Sequence, residues 1–252
     1  MRLIIGVALL AVAACSSRDA TTDLESSSRI GGRPEAVEFS QAPAGRAQIP
    51  LLRQAGGRPR IVVLGDSLTA GLGLPRDQAY PAVLQRRVDA AGVSYEVVNA
   101  GVSGDTSADG LQRFDWAVQG DVRVLILALG ANDGLRGLPP PQLRRNLAQM
   151  VERAQARGTS VILAGMEAPP NFGRDYFVEF HDVYPQLAKQ YGVALVPFLL
   201  EGVAGLASLN QSDGIHPTAA GARIVADNVW RTLAPILEKT GSRGRGTAVP
   251  GS

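Results

Sequence analysis

Between about residues 58 and 238 the chain alternates short apolar runs with longer amphipathic stretches. Ile61-Val62-Val63-Leu64, bounded by Pro59 and Gly65, has the length and β-branched content of a buried strand. Tyr80, Val83, Leu84, Arg87, Val88 and Ala91 recur at near-helical spacing, which predicts a helix over 78–91 with Gly92 as its C-cap. Further strands are predicted at 95–99, 122–129, 161–164 and 193–197. The run 122–129 is the longest and most apolar of them, as suits a central strand. Helices are predicted from Pro139 to about Ala156, over 176–190, and from Pro217 to about Leu237. Strands alternating with helices imply an α/β domain with a parallel sheet covered on both faces. In such a sheet, ligands bind at the carboxyl ends of the strands.

The two ends break this pattern. Met1-Arg2 leads into an apolar run from Leu3 to Ala14, too short to span a bilayer but of the length of a signal-peptide core. Its end, Val12-Ala13-Ala14-Cys15, resembles a bacterial lipobox, in which Cys15 would be acylated and become the mature N-terminus. Simple secretory cleavage near the same place is the other reading. Ser16, in place of Asp, would direct a lipoprotein to the outer membrane. Residues 16–57 are rich in Ser, Thr, Gly, Pro, Arg and Ala without a sustained period, and are expected to form a flexible tether. The expected organisation is a signal segment 1–15, a tether 16–57, a catalytic domain 58–238 and a disordered tail 239–252. An exported, periplasmic protein attached to a membrane through Cys15 follows from that reading.

Composition removes several function classes. Lys and Arg number 25 against 23 Asp and Glu, and aromatic residues make up 5%, so neither a basic surface nor a base-stacking platform for nucleic acid is expected. Cys15 is the only cysteine, which leaves no intramolecular disulfide and no cysteine-based zinc site. With two histidines and no H-E-x-x-H, metal catalysis is not expected.

Candidate chemistry gathers at the ends of the predicted strands. The first strand runs into Gly65-Asp66-Ser67-Leu68-Thr69-Ala70-Gly71. A serine there would be held rigidly with its hydroxyl and its own N–H exposed, as a nucleophile and oxyanion donor require. A turn or capping serine is the plainer alternative. No G-x-S-x-G elbow surrounds Ser67 or Ser103, which disfavours an α/β-hydrolase. Asp213-Gly214-Ile215-His216-Pro217 precedes the last helix. Asp213 and His216 are three apart, so one turn can present both a general base and the carboxylate that orients it, although the same residues also suit a plain turn into a proline-started helix with Asp213 as its cap. His181 falls inside a predicted helix and reads as a packing or surface residue, which leaves His216 as the base. Two further segments could donate to an oxyanion: Gly104, in the Gly-rich stretch after the second strand, and the side chain of Asn132, in Gly130-Ala131-Asn132-Asp133 after the third. Each is also compatible with an ordinary turn, with Asp105 or Ser107 as a cap in the first.

Taken together, G-D-S-L-T-A-G, S-G-D-T-S, G-A-N-D-G-L-R-G, P-P-N-F-G-R, Y-P-Q-L-A and D-G-I-H-P resemble the SGNH, or GDSL, hydrolases over roughly residues 60–238. Within that family they are similar to the bacterial periplasmic thioesterase, lysophospholipase and arylesterase group. The resemblance implies a flavodoxin-like three-layer α/β/α fold with a five-stranded parallel sheet. It also implies a triad of Ser67, Asp213 and His216, an oxyanion hole from Ser67, Gly104 and Asn132, and no metal or other cofactor. By the same resemblance the loop from Asp133 to Leu138 moves over the acyl chain. Asp133, Leu135, Arg136, Met166, Pro169 and Asn171 would then contact substrate. Ala131 stands where the family group has a second glycine, a change that preserves the asparagine. The expected activity is hydrolysis of acyl esters and thioesters. The alternatives are a carbohydrate or peptidoglycan O-acetylesterase and, outside enzymes, a lipid-anchored binding protein on a hydrolase scaffold.

Overall fold

A computed structural model describes the backbone of residues 57–245 and the side chains of 57–239. The expected signal segment, Cys15 and all but the last residue of the expected tether lie outside the described residues. Five strands form one parallel sheet: β1 (Arg60–Gly65), β2 (Glu96–Gly101), β3 (Val122–Ala128), β4 (Ser160–Ala164) and β5 (Ala194–Val196), in the order β2-β1-β3-β4-β5. The apolar runs of β1, β3 and β4 are buried almost end to end, because helices cover these central strands on both faces. The edge strand β2 is only partly covered.

Helices α2 (Tyr80–Ala90) and α8 (Ala219–Arg245) pack on each other, and α6 (Pro140–Ala156) packs between α3 (Ser107–Gln112) and α7 (Arg174–Tyr191). Right-handed crossovers place α2 on one face and α3, α6 and α7 on the other, because the connection from β1 steps one way along the sheet and all later ones step the opposite way. This is the flavodoxin-like α/β arrangement that the resemblance implies. Short helices α1 (Ser67–Ala70), α4 (Phe114–Ala117) and α5 (Ala131–Leu135) are the other α-helices among the described residues.

The reversal of direction falls between β1 and β3, so the loops after these two strands diverge and leave a crevice at the carboxyl edge of the sheet. Ser67 follows β1 and Asn132 follows β3.

Three boundaries differ from expectation. The last helix does not begin at Pro217. Pro217 pairs as an antiparallel bridge with Asn210, the Thr218 N–H donates to the Leu209 carbonyl, and the Thr218 hydroxyl caps the helix by accepting the Gly221 N–H at 3.3 Å. His216 and Pro217 are thereby strapped to 209–211, with the Gln211 N–H donating to the His216 carbonyl at 2.7 Å. At its other end α8 continues through Arg245, beyond the Leu237 expected and into the expected tail. The second strand also runs two residues further than read, through Ala100 and Gly101, because their backbones pair with Leu64 and Gly65 of β1.

Candidate active site

Ser67 is the first residue of α1, immediately after β1. Asp66 caps that turn, its Oδ1 accepting the Leu68 N–H at 3.0 Å. As the opening residue of the helix, Ser67 has no helical carbonyl behind it to accept its own N–H. Asp66 is wholly buried, and burial pushes its carboxyl up to about 6. Its second oxygen has no hydrogen-bond partner among the described residues.

The Ser67 Oγ lies 2.8 Å from His216 Nε2, and His216 Nδ1 lies 2.7 Å from Asp213 Oδ2. The chemistry assigns the tautomer: Nδ1–H donates to the carboxylate, and Nε2 accepts from the serine hydroxyl. Asp213 is itself held in place, because its Oδ1 accepts the N–H groups of Ile215 at 2.9 Å and His216 at 3.0 Å. Those backbone bonds, and then the bond to the His216 ring, hold its carboxyl down at about 2. A left-handed Gly214 closes this turn, so the three-residue spacing read from the sequence does bring carboxylate and imidazole together.

The two further donors reach the same edge. Gly104 has φ +89° and open space where a Cβ would stand, so backbone conformation, not crowding, calls for glycine there. Its N–H has no acceptor among the described residues, and its carbonyl accepts from the Arg136 guanidinium at 2.9 Å. Asn132 Nδ2 donates one hydrogen to the Asp105 carbonyl at 2.9 Å, which fixes the amide and leaves its other hydrogen for a ligand. Gly130 positions α5 beneath it: φ is +121°, and a Cβ would stand 2.0 Å from the Tyr184 hydroxyl, which donates to the Leu129 carbonyl.

A cleft of about 480 Å³ opens beside Ser67 and His216. Leu135, Met166 and Pro169, three of the residues read as substrate contacts, line it together with Glu167, Ala168, Phe198, Leu200 and Ile215. Three expected substrate contacts are elsewhere. Asp133 is buried, and its carboxylate accepts from both the N–H (2.8 Å) and the hydroxyl (2.5 Å) of Ser107. It ties α5 to α3 and does not face the cleft. Arg136 is spent on Gly104, and Asn171 is exposed outside the cleft. The cap of α3 is Thr106, in a reciprocal box with Asp109, rather than Asp105 or Ser107.

Sequence reading passed over Arg113. Its Nε donates to Asp105 Oδ2 at 2.6 Å and its Nη2 to the Gly65 carbonyl at 2.8 Å. It thus joins the loop bearing Gly104 to the residue before Asp66-Ser67. Nothing in the sequence marked it, since it lies on no motif and the Gly65 carbonyl it reaches is 48 positions away. The loop 133–138 is likewise pinned: the Tyr176 hydroxyl donates to the Leu138 carbonyl at 2.9 Å, and the Phe172 ring packs against Gly137.

Residues 63–224 match the model of the GDSL-like Lipase/Acylhydrolase family. Esterase TesA of Pseudomonas aeruginosa is 45% identical over 195 residues, 77% of this chain and 97% of that protein. Thioesterase 1/protease 1/lysophospholipase L1 of Escherichia coli K12 is 36% identical, over 73% of this chain and 88% of the relative. The crystal structure of AlinE4, an SGNH-hydrolase family esterase, superposes with a TM-score of 0.60 at 42% identity, covering 72% of this chain and 98% of that one. With a family match that takes in Ser67, Gly104, Asn132 and His216 alike, the chain belongs to the GDSL-like lipase/acylhydrolases, the SGNH hydrolases.

Proposed function

We propose that this chain hydrolyses carboxylic esters and thioesters of acyl chains through a covalent acyl-enzyme on Ser67. The observation that carries the reading is the continuous hydrogen-bonded line Ser67–His216–Asp213, at 2.8 and 2.7 Å, opening onto a largely apolar cleft. His216 Nε2 takes the hydroxyl proton as Ser67 Oγ attacks the acyl carbonyl, and Asp213 stabilises the imidazolium. The N–H groups of Ser67 and Gly104, with Asn132 Nδ2, receive the negative oxygen of the tetrahedral intermediate. His216 then protonates the leaving alcohol or thiol. In the second half, water gives its proton to His216, attacks the acyl-enzyme, and Ser67 is regenerated. None of these steps calls for a metal or an organic cofactor. The relatives' names, which speak of esterase, thioesterase and lysophospholipase, support acyl substrates.

Labelling by a fluorophosphonate, abolished in Ser67→Ala, tests the nucleophile. Turnover of p-nitrophenyl esters from acetate to long chains tests the substrate class. Activity on acetate alone would replace the acyl-chain reading with an O-acetylesterase. Export and attachment to the periplasmic face of the outer membrane through an acylated Cys15 are part of the same proposal. Residues 16–57 would then join the anchor to the catalytic domain. Mass spectrometry of the mature N-terminus reads this directly: a diacylglyceryl-modified cysteine supports it, and an unmodified N-terminus rules it out.

A further inference from the structure

Apart from His216, one residue lining the cleft carries an ionisable side chain, Glu167. It sits in the loop after β4, between Met166 and Ala168, both buried, and its side chain is 26% exposed. His181, reaching across from α7, holds one oxygen: Nδ1 is 2.7 Å from Glu167 Oε1. The other oxygen, Oε2, is shielded from solvent and has no hydrogen-bond partner among the described residues. No Lys or Arg lines the cleft. A carboxylate in an otherwise apolar wall, with one oxygen uncompensated, imposes a negative potential on whatever enters, and low local polarity strengthens it. Such a charge is costly to keep for stability alone, because an apolar residue of similar size would pack there without the desolvation cost.

We propose that Glu167, oriented by His181, sets a charge filter in the cleft: neutral and cationic esters are accepted, and esters bearing an anionic group near the reacting carbonyl are rejected. The proposal rests on the esterase reading above and adds the class of substrate to it.

The test compares kcat/KM within matched sets, so that a general loss of activity in a variant cancels. One set keeps the acyl chain and varies the alcohol: choline, its uncharged carbon isostere, and isethionate. The other keeps p-nitrophenol and compares the hexanoyl ester with the monoester of adipic acid. Wild type should disfavour the anionic member by at least about tenfold in one or both sets, as for like charges a few ångström apart in a partly desolvated site. Glu167→Gln keeps an acceptor for His181 and should bring the members to within about threefold. Glu167→Lys should reverse the order. Raising ionic strength should narrow the wild-type ratio, a readout independent of any variant's folding. Ratios near one in both sets for active wild type, or ratios unmoved by both substitutions, would overturn the filter while leaving the esterase intact. Failure of wild type to hydrolyse the neutral members would instead remove the esterase reading, and the filter with it.

Discussion

Arg113 and Asp105 form an ion pair at 2.6 Å with side chains only 17% and 11% exposed, and the same guanidinium holds the Gly65 carbonyl. The pair therefore joins the two loops whose N–H groups, in the proposed mechanism, receive one oxyanion. Removing one partner of a buried pair leaves the other charge uncompensated. Arg113→Ala is expected to cost about 3 kcal/mol or more in urea denaturation and to lower kcat further than KM rises. Arg113→Lys, which restores charge without the two-armed fork, should recover only part of the activity.

Asn132→Ala removes one of the three proposed oxyanion donors and the bond to the Asp105 carbonyl. A fall in kcat of roughly 10²–10³ is expected, with little change in KM, because the lost interaction belongs to the transition state. Steady-state kinetics on a p-nitrophenyl ester would check it. A rise in KM at constant kcat would place Asn132 in ground-state binding instead.

Asp213 is held down at about 2, so it stays ionised wherever the protein is assayed between pH 4 and 9. The pH dependence of kcat/KM above pH 4 should therefore carry no limb from Asp213 itself, whereas Asp213→Asn should lose about 10⁴ in kcat by presenting the wrong imidazole tautomer. A pH–rate profile of wild type beside single-turnover rates of the variant separates the two effects.

Asp66 behaves oppositely. Its folded carboxyl is raised to about 6 from 3.8, so between those values the native state binds the proton better than the unfolded chain. Stability must then fall as pH rises from about 4 to above 6, by about 3 kcal/mol for a shift of roughly two units. The loss is complete above the folded value. Asp66→Asn should remove this part of the slope, read as the wild-type minus variant difference in unfolding free energy from pH 4 to 8. The difference matters because Asp133 is also raised by burial and adds its own slope to both proteins.

The strands, the main helices and the order of the Ser, Gly, Asn and His segments were legible because they rest on local signals. Apolar runs report burial, and Pro, Gly and capping residues report boundaries. Asp213 and His216 lie on one turn, so their spacing allowed the 2.7 Å meeting that the structure shows. Ser67 and His216 are 149 positions apart. Their 2.8 Å approach depends on the sheet order and on the strap that ties His216-Pro217 to 209–211, where local preference for a proline pointed to a helix start. Asp133 and Arg136 read as substrate contacts because they adjoin Asn132. Packing turned one inward to Ser107 and committed the other to Gly104.

By itself, then, the sequence determined the fold class and the family and proposed the reacting groups, since each is written in periodicity or in short ordered motifs. Only the tertiary structure decided which side chains border the cleft. Glu167 faces it, and His181, an unremarkable helix position in the sequence, reaches Glu167 from another element. Arg113 likewise gains its role from carbonyl and carboxylate partners on other segments. The physical reason is the same in each case: a hydrogen bond or a field acts over a few ångström of space, and separation along the chain does not report that distance.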